Sequence, residues 1–202
     1  YIGNDPSSST STAEYNIAIG TTALDAVTTG DRNVAIGYDA LTANTTGGYN
    51  TAVGYESMNA NTTGGYNTAV GYGSMKYNTT GERNNAFGVQ SMIYNTTGGN
   101  NTASGFQSLK SNTTGSNNTS VGHQSLNSNT TGARNTGTGY QAAYTTTTGN
   151  DNTSIGYEAG NVITTGSQNV TIGSGSDPSA VAASNQIVIG YGAAGHGDNI
   201  SV

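Results

Sequence analysis

Hydrophobic and polar positions recur along this chain at a fixed interval of 17 residues. With Asn50 as position 1, the unit 50–66 reads NTAVGYESMNANTTGGY, and the unit 67–83 is a near copy. A glycine at position 5 recurs twelve times, from Gly3 to Gly190, without an insertion. A second glycine, at position 15, recurs in nine consecutive units, from Gly30 to Gly166. Such a period is typical of a repeat protein, in which each unit packs on its neighbours.

Large apolar side chains recur at two positions of the unit. Position 4 carries Ile19, Ile36, Val53, Val70, Phe87, Val121, Ile155, Ile172 and Ile189. Position 9 carries Leu24, Leu41, Met58, Met75, Met92, Leu109 and Leu126. Positions 3 and 8 are small, and position 2 is β-branched in most units. This alternation predicts a short strand at positions 1–5 and a second strand at positions 7–10.

Turn residues separate the predicted strands. Glycine at position 5 indicates a bend or a close approach to another backbone. Asn-Thr-Thr-Gly at positions 12–15 is typical of a turn, in which we expect Asn to bond its own backbone and Gly to take a positive φ. Helical solenoids need about 30 residues or more per repeat, so a helix does not fit the unit. The sequence therefore predicts an all-β fold, a parallel β-solenoid with one 17-residue coil per unit and about 12 coils.

The period divides the chain, predicted to be a single solenoid over residues 1–202, into three parts. Residues 1–15 form a degenerate first coil with a Ser/Thr-rich loop, residues 16–173 are regular coils, and residues 174–202 are variant final coils. The last four residues, which begin at Asn199, are predicted to start another strand. Because the chain starts inside a unit, at Tyr1, we expect it to be a segment of a longer protein or a processed product.

Stacking of like residues has consequences for packing. Equivalent residues are expected about 4.8 Å apart along a rod of about 50 Å, with Asn side chains at position 1 bonded to one another. Two large and two small columns cannot all face one thin interior. We therefore expect one apolar column to face other chains in a homo-oligomer arranged around the long axis of the rod.

Composition narrows the choice of partners. Charged residues are 8% of the chain, the net charge is −6, and the five basic residues are scattered, which argues against nucleic acid and anionic membranes as partners. No apolar run is long enough to span a bilayer, and there is no cysteine. Only 32% of residues are apolar, which alone would suggest disorder, but the strict period favours an ordered array.

The unit resembles two families of repeats. The strands NIAIG (16–20), NVAIG (33–37) and NTAVG (50–54), each followed closely by Ala or Ser, resemble the head repeats of YadA-like trimeric autotransporter adhesins. The unit NVAIGYDALTANTTGGY (33–49) is similar to repeats in tail-fibre and other structural proteins of bacteriophages, including cyanophages. The segment 184–202 is also similar to the end of such arrays.

The resemblance implies a left-handed β-roll, three chains around a threefold axis, and a role in adhesion or fibre building in a virion or at a cell surface. The expected partners are copies of the chain, other fibre or virion proteins, and a host glycan or receptor. The unit is longer than the adhesin repeat, with the extra residues in the Asn-Thr-Thr-Gly turn.

An aromatic column at position 6 is the candidate site. Its tyrosines are Tyr38, Tyr55, Tyr72, Tyr140, Tyr157 and Tyr191. If the column is exposed, it is suited to a receptor or a sugar; if it faces a neighbouring chain, it is interface core. His123 stands in the same column and is interpreted as a substitute for an aromatic ring.

A threonine column at position 14 offers an alternative function. It comprises Thr29, Thr46, Thr63, Thr80, Thr97, Thr114, Thr131, Thr148 and Thr165. A regular file of threonines suggests ice binding, although the unit lacks the Thr-x-Thr pair of a flat ice-binding strand.

Other motifs carry little chemistry. Residues 190–195 match GxGxxG, but no helix start or downstream acidic residue accompanies them, so no cofactor is predicted. The segment 195–198, Gly-His-Gly-Asp, is a single copy of a pattern that binds calcium only in arrays, so no metal is predicted. With His123 and His196 far apart, no catalytic set can be assembled, and the chain is predicted not to be an enzyme. Six Asn-Thr-Thr triplets match the glycosylation sequon but are explained by turn chemistry.

Overall fold

Twelve short parallel strands form the single sheet of this protein, in a computed structural model that describes residues 2–3 and 12–197. None of the described residues lies in a helix. The strands follow one another in the sheet in chain order, so the predicted all-β parallel β-solenoid with 17-residue coils is confirmed. They are β1 (Ile2–Gly3), β2 (Ile17–Gly20), β3 (Val34–Ile36), β4 (Thr51–Val53), β5 (Thr68–Val70), β6 (Asn85–Phe87), β7 (Thr102–Ser104), β8 (Thr119–Val121), β9 (Thr136–Thr138), β10 (Thr153–Ile155), β11 (Val170–Ile172) and β12 (Ile187–Ile189).

Each strand pairs in register with its copy one unit along the chain. In the pair β4–β5, Thr51 is opposite Thr68 and Val53 is opposite Val70. The strands are short because Gly54, at position 5, has a φ of 140° and turns the chain away. A Cβ on Gly54 would also lie 2.5 Å from the carbonyl oxygen of the next position-5 glycine. Both roles predicted for this glycine, the bend and the close approach, are therefore confirmed.

The core lies behind the small residues of the strands. In β4, Ala52 is fully buried, whereas Thr51 and Val53 point outward and are half-buried. The large residues at position 9 fill the interior and are fully buried: Leu24, Leu41, Met58, Met75, Met92, Leu109 and Leu126. The position-4 column, which could equally have filled the core, therefore lies on the outside of the sheet.

The prediction of a second strand at positions 7–10 is wrong. These residues form turns, because Glu56 and Met58 have positive φ values of 52° and 51°. The two left-handed residues change the direction of the chain so that Ser57 and Met58, although consecutive, are both buried. In an extended strand they would point to opposite faces. Hydrogen bonds still join the coils here, as the Met58 N–H donates to the Ser74 carbonyl at 3.0 Å.

The Asn-Thr-Thr-Gly turn is confirmed, but its glycine has another role than predicted. Asn61 donates from Nδ2 to the Gly64 carbonyl at 3.0 Å, so Asn bonds its own turn. Gly64 does not have a positive φ; the left-handed residue in this segment is Tyr66, with a φ of 61°. Gly64 is required because a Cβ there would lie 2.5 Å from both Asn61 Oδ1 and the Gly81 carbonyl oxygen.

Asparagines at position 1 close each coil onto the preceding one. Asn50 donates from Nδ2 to the Gly64 carbonyl of its own coil at 2.9 Å, and the Asn67 N–H donates to Asn50 Oδ1 at 3.0 Å. A bond between position-1 side chains occurs from Asn101, whose Nδ2 donates to Asn84 Oδ1 at 3.1 Å. The predicted bonding of these side chains to one another is thus present in part of the array.

The coil phase is kept at both ends of the described region. Gly3 pairs with Gly20 at the start, and Asp177 bridges Ala194, one unit later, near the end. The strand predicted to begin at Asn199 lies outside the described residues.

Candidate functional site

The outward side of the sheet is a long surface without charge. We call the side chains at positions 2 and 4 of β2–β12 the strand face. Its position-2 residues are Ile17, Val34, Thr51, Thr68, Asn85, Thr102, Thr119, Thr136, Thr153, Val170 and Ile187. Its position-4 residues are Ile19, Ile36, Val53, Val70, Phe87, Ser104, Val121, Thr138, Ile155, Ile172 and Ile189. These are β-branched, apolar or small polar side chains, and the large ones at both ends of the face are exposed.

The first three tyrosines of the predicted column form a stack beside the strand face. Tyr38 and Tyr55 have ring centroids 5.1 Å apart, and Tyr55 and Tyr72 have centroids 5.4 Å apart, with nearly parallel planes. Because each ring covers the face of its neighbour, the stack presents mainly ring edges and hydroxyl groups to its surroundings.

The rest of the column forms a second stack and one separate ring. Centroid distances of 5.1, 5.2 and 5.1 Å join Phe106, His123, Tyr140 and Tyr157 in sequence, so His123 takes the place of a ring. Val89 stands in the column between the two stacks. Tyr191 is 91% exposed and stacks on no ring among the described residues.

Acidic neighbours act on two of these phenols. The Glu56 carboxylate raises the pKa of Tyr55, and a hydrogen bond with Glu158 raises the pKa of Tyr157. Glu56 also pairs with Lys76, whose Nζ lies 2.6 Å from Glu56 Oε2, and this hydrogen bond raises the pKa of the lysine. Both phenols therefore keep their protons, and their capacity to donate a hydrogen bond, to higher pH than free tyrosine.

A further stack, which the sequence interpretation missed, lies at position 17. Its members in order are Tyr15, Arg32, Tyr49, Tyr66 and Arg83. The Arg32 guanidinium lies 5.1 Å from the Tyr15 ring and 5.3 Å from the Tyr49 ring, and Tyr49 and Tyr66 stack at 4.8 Å. Arg83 covers the outer face of Tyr66 at 5.6 Å. The signal was present in the sequence as Tyr and Arg at the same phase of the unit. We call these five residues the position-17 stack.

A groove of about 380 Å³ lies between the position-17 stack and the threonines of position 14. Thr29, Thr46 and Thr63 form its second wall. Its floor is formed by glycines at position 16, and a carboxylate lies at each end. The groove combines aromatic, charged and hydroxyl groups in one concave surface, which makes it a candidate binding site.

The threonine column is exposed along its full length. All nine position-14 threonines from Thr29 to Thr165 are exposed. The threonines at position 13 differ, because their hydroxyls donate to the next coil; Thr62 Oγ1, for example, donates to the Thr79 carbonyl at 3.1 Å. Of the two threonine files in this turn, only the position-14 file therefore has hydroxyls available to bind water or a ligand.

The remaining motifs have structural explanations. The asparagines of the six Asn-Thr-Thr triplets, from Asn44 to Asn129, are fully buried, so their amides are not accessible for glycosylation in the folded coil. The GxGxxG segment from Gly190 to Gly195 forms turns and no helix. Asp198 of the Gly-His-Gly-Asp segment lies outside the described residues.

Comparison of the chain with known protein families, curated proteins and solved structures finds no match in any of the three. Among the residues that the structure describes, there is no helix with the length and hydrophobicity to cross a membrane.

Proposed function

We propose that this chain is a structural fibre segment that associates with two further copies of itself through the strand face. The observation that carries this proposal is the absence of any charged side chain at the 22 positions of the strand face, from Ile17 to Ile189. A parallel sheet is normally covered on both of its faces. A large surface that carries exposed aliphatic side chains and no charge is typical of an interaction site.

The strand face and the position-6 stacks together form the proposed interface. The eleven strands, about 4.8 Å apart, extend over about 48 Å, and positions 2–4 span about 7 Å. The projected area of the strand face alone is thus about 340 Å², less than half of the roughly 800 Å² of accessible surface that each partner buries in a standard interface. The position-6 stacks, two residues beyond the face, would widen this contact as interface core.

The proposed assembly is a trimeric shaft or head of a phage tail fibre or of a surface adhesin, outside the host cell or on the virion. The number of chains and this location follow the families that the unit resembles. A fibre also explains the regularity of the array, since its mechanical role requires a long, uniform rod and no reaction centre. Its partners are then copies of the chain, adjoining fibre or virion proteins, and a host receptor or glycan.

The mass of the particle in solution tests this proposal. Light scattering during size-exclusion chromatography should give about 61 kDa, three times the 20.3 kDa of one chain. The double substitution Val53→Lys and Val70→Lys places two cations on the strand face and should give monomers. Thr97→Lys places a cation on the exposed threonine file and should leave the trimer intact. A monomeric native chain, or a trimer that tolerates the double substitution, would overturn the proposal.

Ice binding is a second candidate, favoured by the nine exposed threonines at position 14. Equivalent residues along the rod repeat about every 4.8 Å, which gives a regular row of hydroxyl groups. The row is single, because the position-13 hydroxyls are bonded to backbone. Thermal hysteresis, the difference between the melting and freezing temperatures of ice, decides between the candidates when it is measured at millimolar protein. A hysteresis that is lost in Thr97→Lys supports ice binding, and the absence of hysteresis excludes it.

A further inference from the structure

We propose that the groove between Thr29, Thr46 and Thr63 and the position-17 stack binds a short neutral oligosaccharide. This inference names a ligand class for the adhesive role, and its biological meaning rests on that proposed function. The groove itself is complete within one chain, so its binding can be measured separately from the oligomeric state.

The groove is open because of the residues at position 16. In two successive coils this position is Gly48 and Gly65, which leave the floor free of side chains. Glu82 follows them at the same position, and after Gly99 the later coils carry Ser116, Ala133 and Asn150. The groove is therefore a local feature of a few coils and not a general property of the repeat.

Two carboxylates mark the ends of the open floor. Asp31 precedes the two glycine coils at position 16, and Glu82 follows them. Three coil intervals separate them, about 14 Å at the strand spacing. This length suits a few linked sugar rings better than a single small molecule, since both ends offer acceptors for hydroxyl groups.

Hydroxyl groups line one wall. Thr29, Thr46 and Thr63 are exposed, and their hydroxyls form no hydrogen bond with any described residue. They repeat at the coil spacing along the groove, and each can both donate and accept. A ligand rich in hydroxyl groups can satisfy such a row, whereas an apolar ligand would leave it without partners.

The opposite wall is a stack of aromatic rings and guanidinium groups. The rings of Tyr49 and Tyr66 stack at 4.8 Å, and guanidinium groups cover the outer face of each. Since the ring faces are covered, the wall presents edges and phenol hydroxyls to the ligand. Mutual packing within the stack restricts these side chains before a ligand binds, which reduces the entropy lost on binding.

The charges of the groove favour a neutral ligand. Asp31 lies 4.0 Å from Arg32, and Glu82 lies 3.1 Å from Arg83, so each carboxylate has a guanidinium beside it. The lining carries two carboxylates and the Arg32 guanidinium, and Arg83 lies beside Glu82 just outside the lining. The carboxylates disfavour a polyanion, and the neighbouring guanidiniums weaken the attraction of a polycation, whereas sugar hydroxyls can donate to the carboxylates and accept from Arg32.

The expected affinity of one groove is low. The groove is open to solvent, and the ring faces that usually stack on sugars are not available. We expect dissociation constants in the millimolar to high micromolar range, with tighter binding to a multivalent surface when several grooves act together in an oligomer.

Saturation-transfer NMR tests the inference with cellotetraose, maltotetraose and β-1,4-mannotetraose as neutral probes and polygalacturonate fragments as the anionic comparison. We expect transfer to at least one neutral probe and none to the anionic one. Gly65→Asn should abolish it by filling the floor. This change fits the coil, because Asn150 occupies the equivalent position and its Oδ1 accepts from the Ala133 N–H at 2.8 Å. The matched control, Gly99→Asn, makes the same change outside the groove lining and should leave the transfer unchanged.

Two outcomes overturn the inference: no transfer to any neutral probe, or transfer that persists in Gly65→Asn. Preferred transfer to the anionic fragments also contradicts it, since it would assign the groove to a charged ligand. The mass of each sample is recorded in parallel, so a trimer without sugar binding refutes only the groove, and a sugar-binding monomer refutes only the proposed assembly.

Discussion

The side-chain amide of Asn78 donates a hydrogen bond to Oδ1 of Asn61, the equivalent residue of the preceding coil, at 2.8 Å. Asn78 also donates to the Gly81 carbonyl of its own turn at 3.1 Å. The same pair of bonds is made by Asn61, Asn95, Asn112 and Asn129, and Asn44 begins this buried file of position-12 asparagines by accepting from Asn61. Because each amide is bonded both within its turn and between coils, this file joins the turns of six units into one polar network.

Removal of one amide from the middle of this file should be costly. Asn78→Ala leaves Asn61 Oδ1 and one N–H of Asn95 buried without partners, at about 1–3 kcal/mol for each group. We expect the free energy of unfolding to fall by about 2–4 kcal/mol, measured by urea denaturation at fixed protein concentration. The control is Asn59→Ala, because Asn59 is half-buried and makes only a long bond of 3.4 Å, so its loss should be under about 0.5 kcal/mol. Equal losses in both variants would contradict the role of the file.

The C-terminal end of the file can be extended. Position 12 of the next coil is Thr146, and its buried hydroxyl and Asn129 Oδ1 both lack partners. Thr146→Asn provides an amide that can donate to Asn129 Oδ1 and to the Gly149 carbonyl, so we expect a stabilisation of about 1 kcal/mol. Ile163→Asn, one coil further, removes a buried apolar side chain and should destabilise instead. If thermal melting shows both changes to be destabilising, the proposed bonding is wrong.

Adjacent glycines of one turn should respond differently to the same substitution. Gly64→Ala places a Cβ 2.5 Å from Asn61 Oδ1 and from the Gly81 carbonyl oxygen, which no rotamer can relieve. In Gly65→Ala the nearest atom, the Gly48 carbonyl oxygen, is 3.0 Å away, and Ala133 is accommodated at the equivalent position. We expect Gly64→Ala to lower the melting temperature by several degrees and Gly65→Ala to change it little. A reversed order would contradict the stacking of the turns.

Asp177 should make the variant final coils less stable as the pH rises. Burial raises the pKa of its carboxyl group above the ordinary value of 3.8. A raised pKa means that the folded chain holds the proton more tightly than the unfolded chain. The stabilising contribution is therefore complete below pH 3.8 and is lost as the pH rises through the folded-state pKa.

The variant Asp177→Asn has no such proton to lose. The difference in melting temperature between this variant and the native protein should therefore grow between pH 4 and neutrality, in favour of the variant. Comparing the two chains separates the effect of Asp177 from that of groups whose pKa shifts in the opposite direction. One such group is Asp151, whose pKa is lowered by Arg134. A constant difference across this range would show that Asp177 does not titrate with folding.

The architecture could be predicted from the sequence because the 17-residue period and the position-5 glycine carry it directly. A glycine such as Gly54 is needed wherever equivalent backbones meet, so its recurrence marks the stacking itself. The turn at positions 7–10 could not be predicted. Glu56 and Met58 have no intrinsic preference for the left-handed region, and their conformation is imposed by bonds between coils. Because that turn was not foreseen, the sequence left open whether the large column at position 4 or the one at position 9 fills the interior.

The position-6 column could be predicted because most of its members are tyrosines, such as Tyr38 and Tyr55. The position-17 stack was missed because Arg32 interrupts its tyrosines and Arg83 ends it, and a search for aromatic residues alone does not join these members. The groove depends on which glycines leave space beside this stack, and that follows only from the three-dimensional register of the coils.

The identity of geometry from one coil to the next has a consequence for how the protein can vary. Loss of residues 50–66 would bring Gly37 against Gly71 in the same contact that each now makes with Gly54. Gain or loss of a whole unit therefore leaves every remaining contact between neighbouring coils unchanged. The reach of the rod can change in increments of about 4.8 Å by simple duplication or deletion of a gene segment, with no compensating mutation elsewhere.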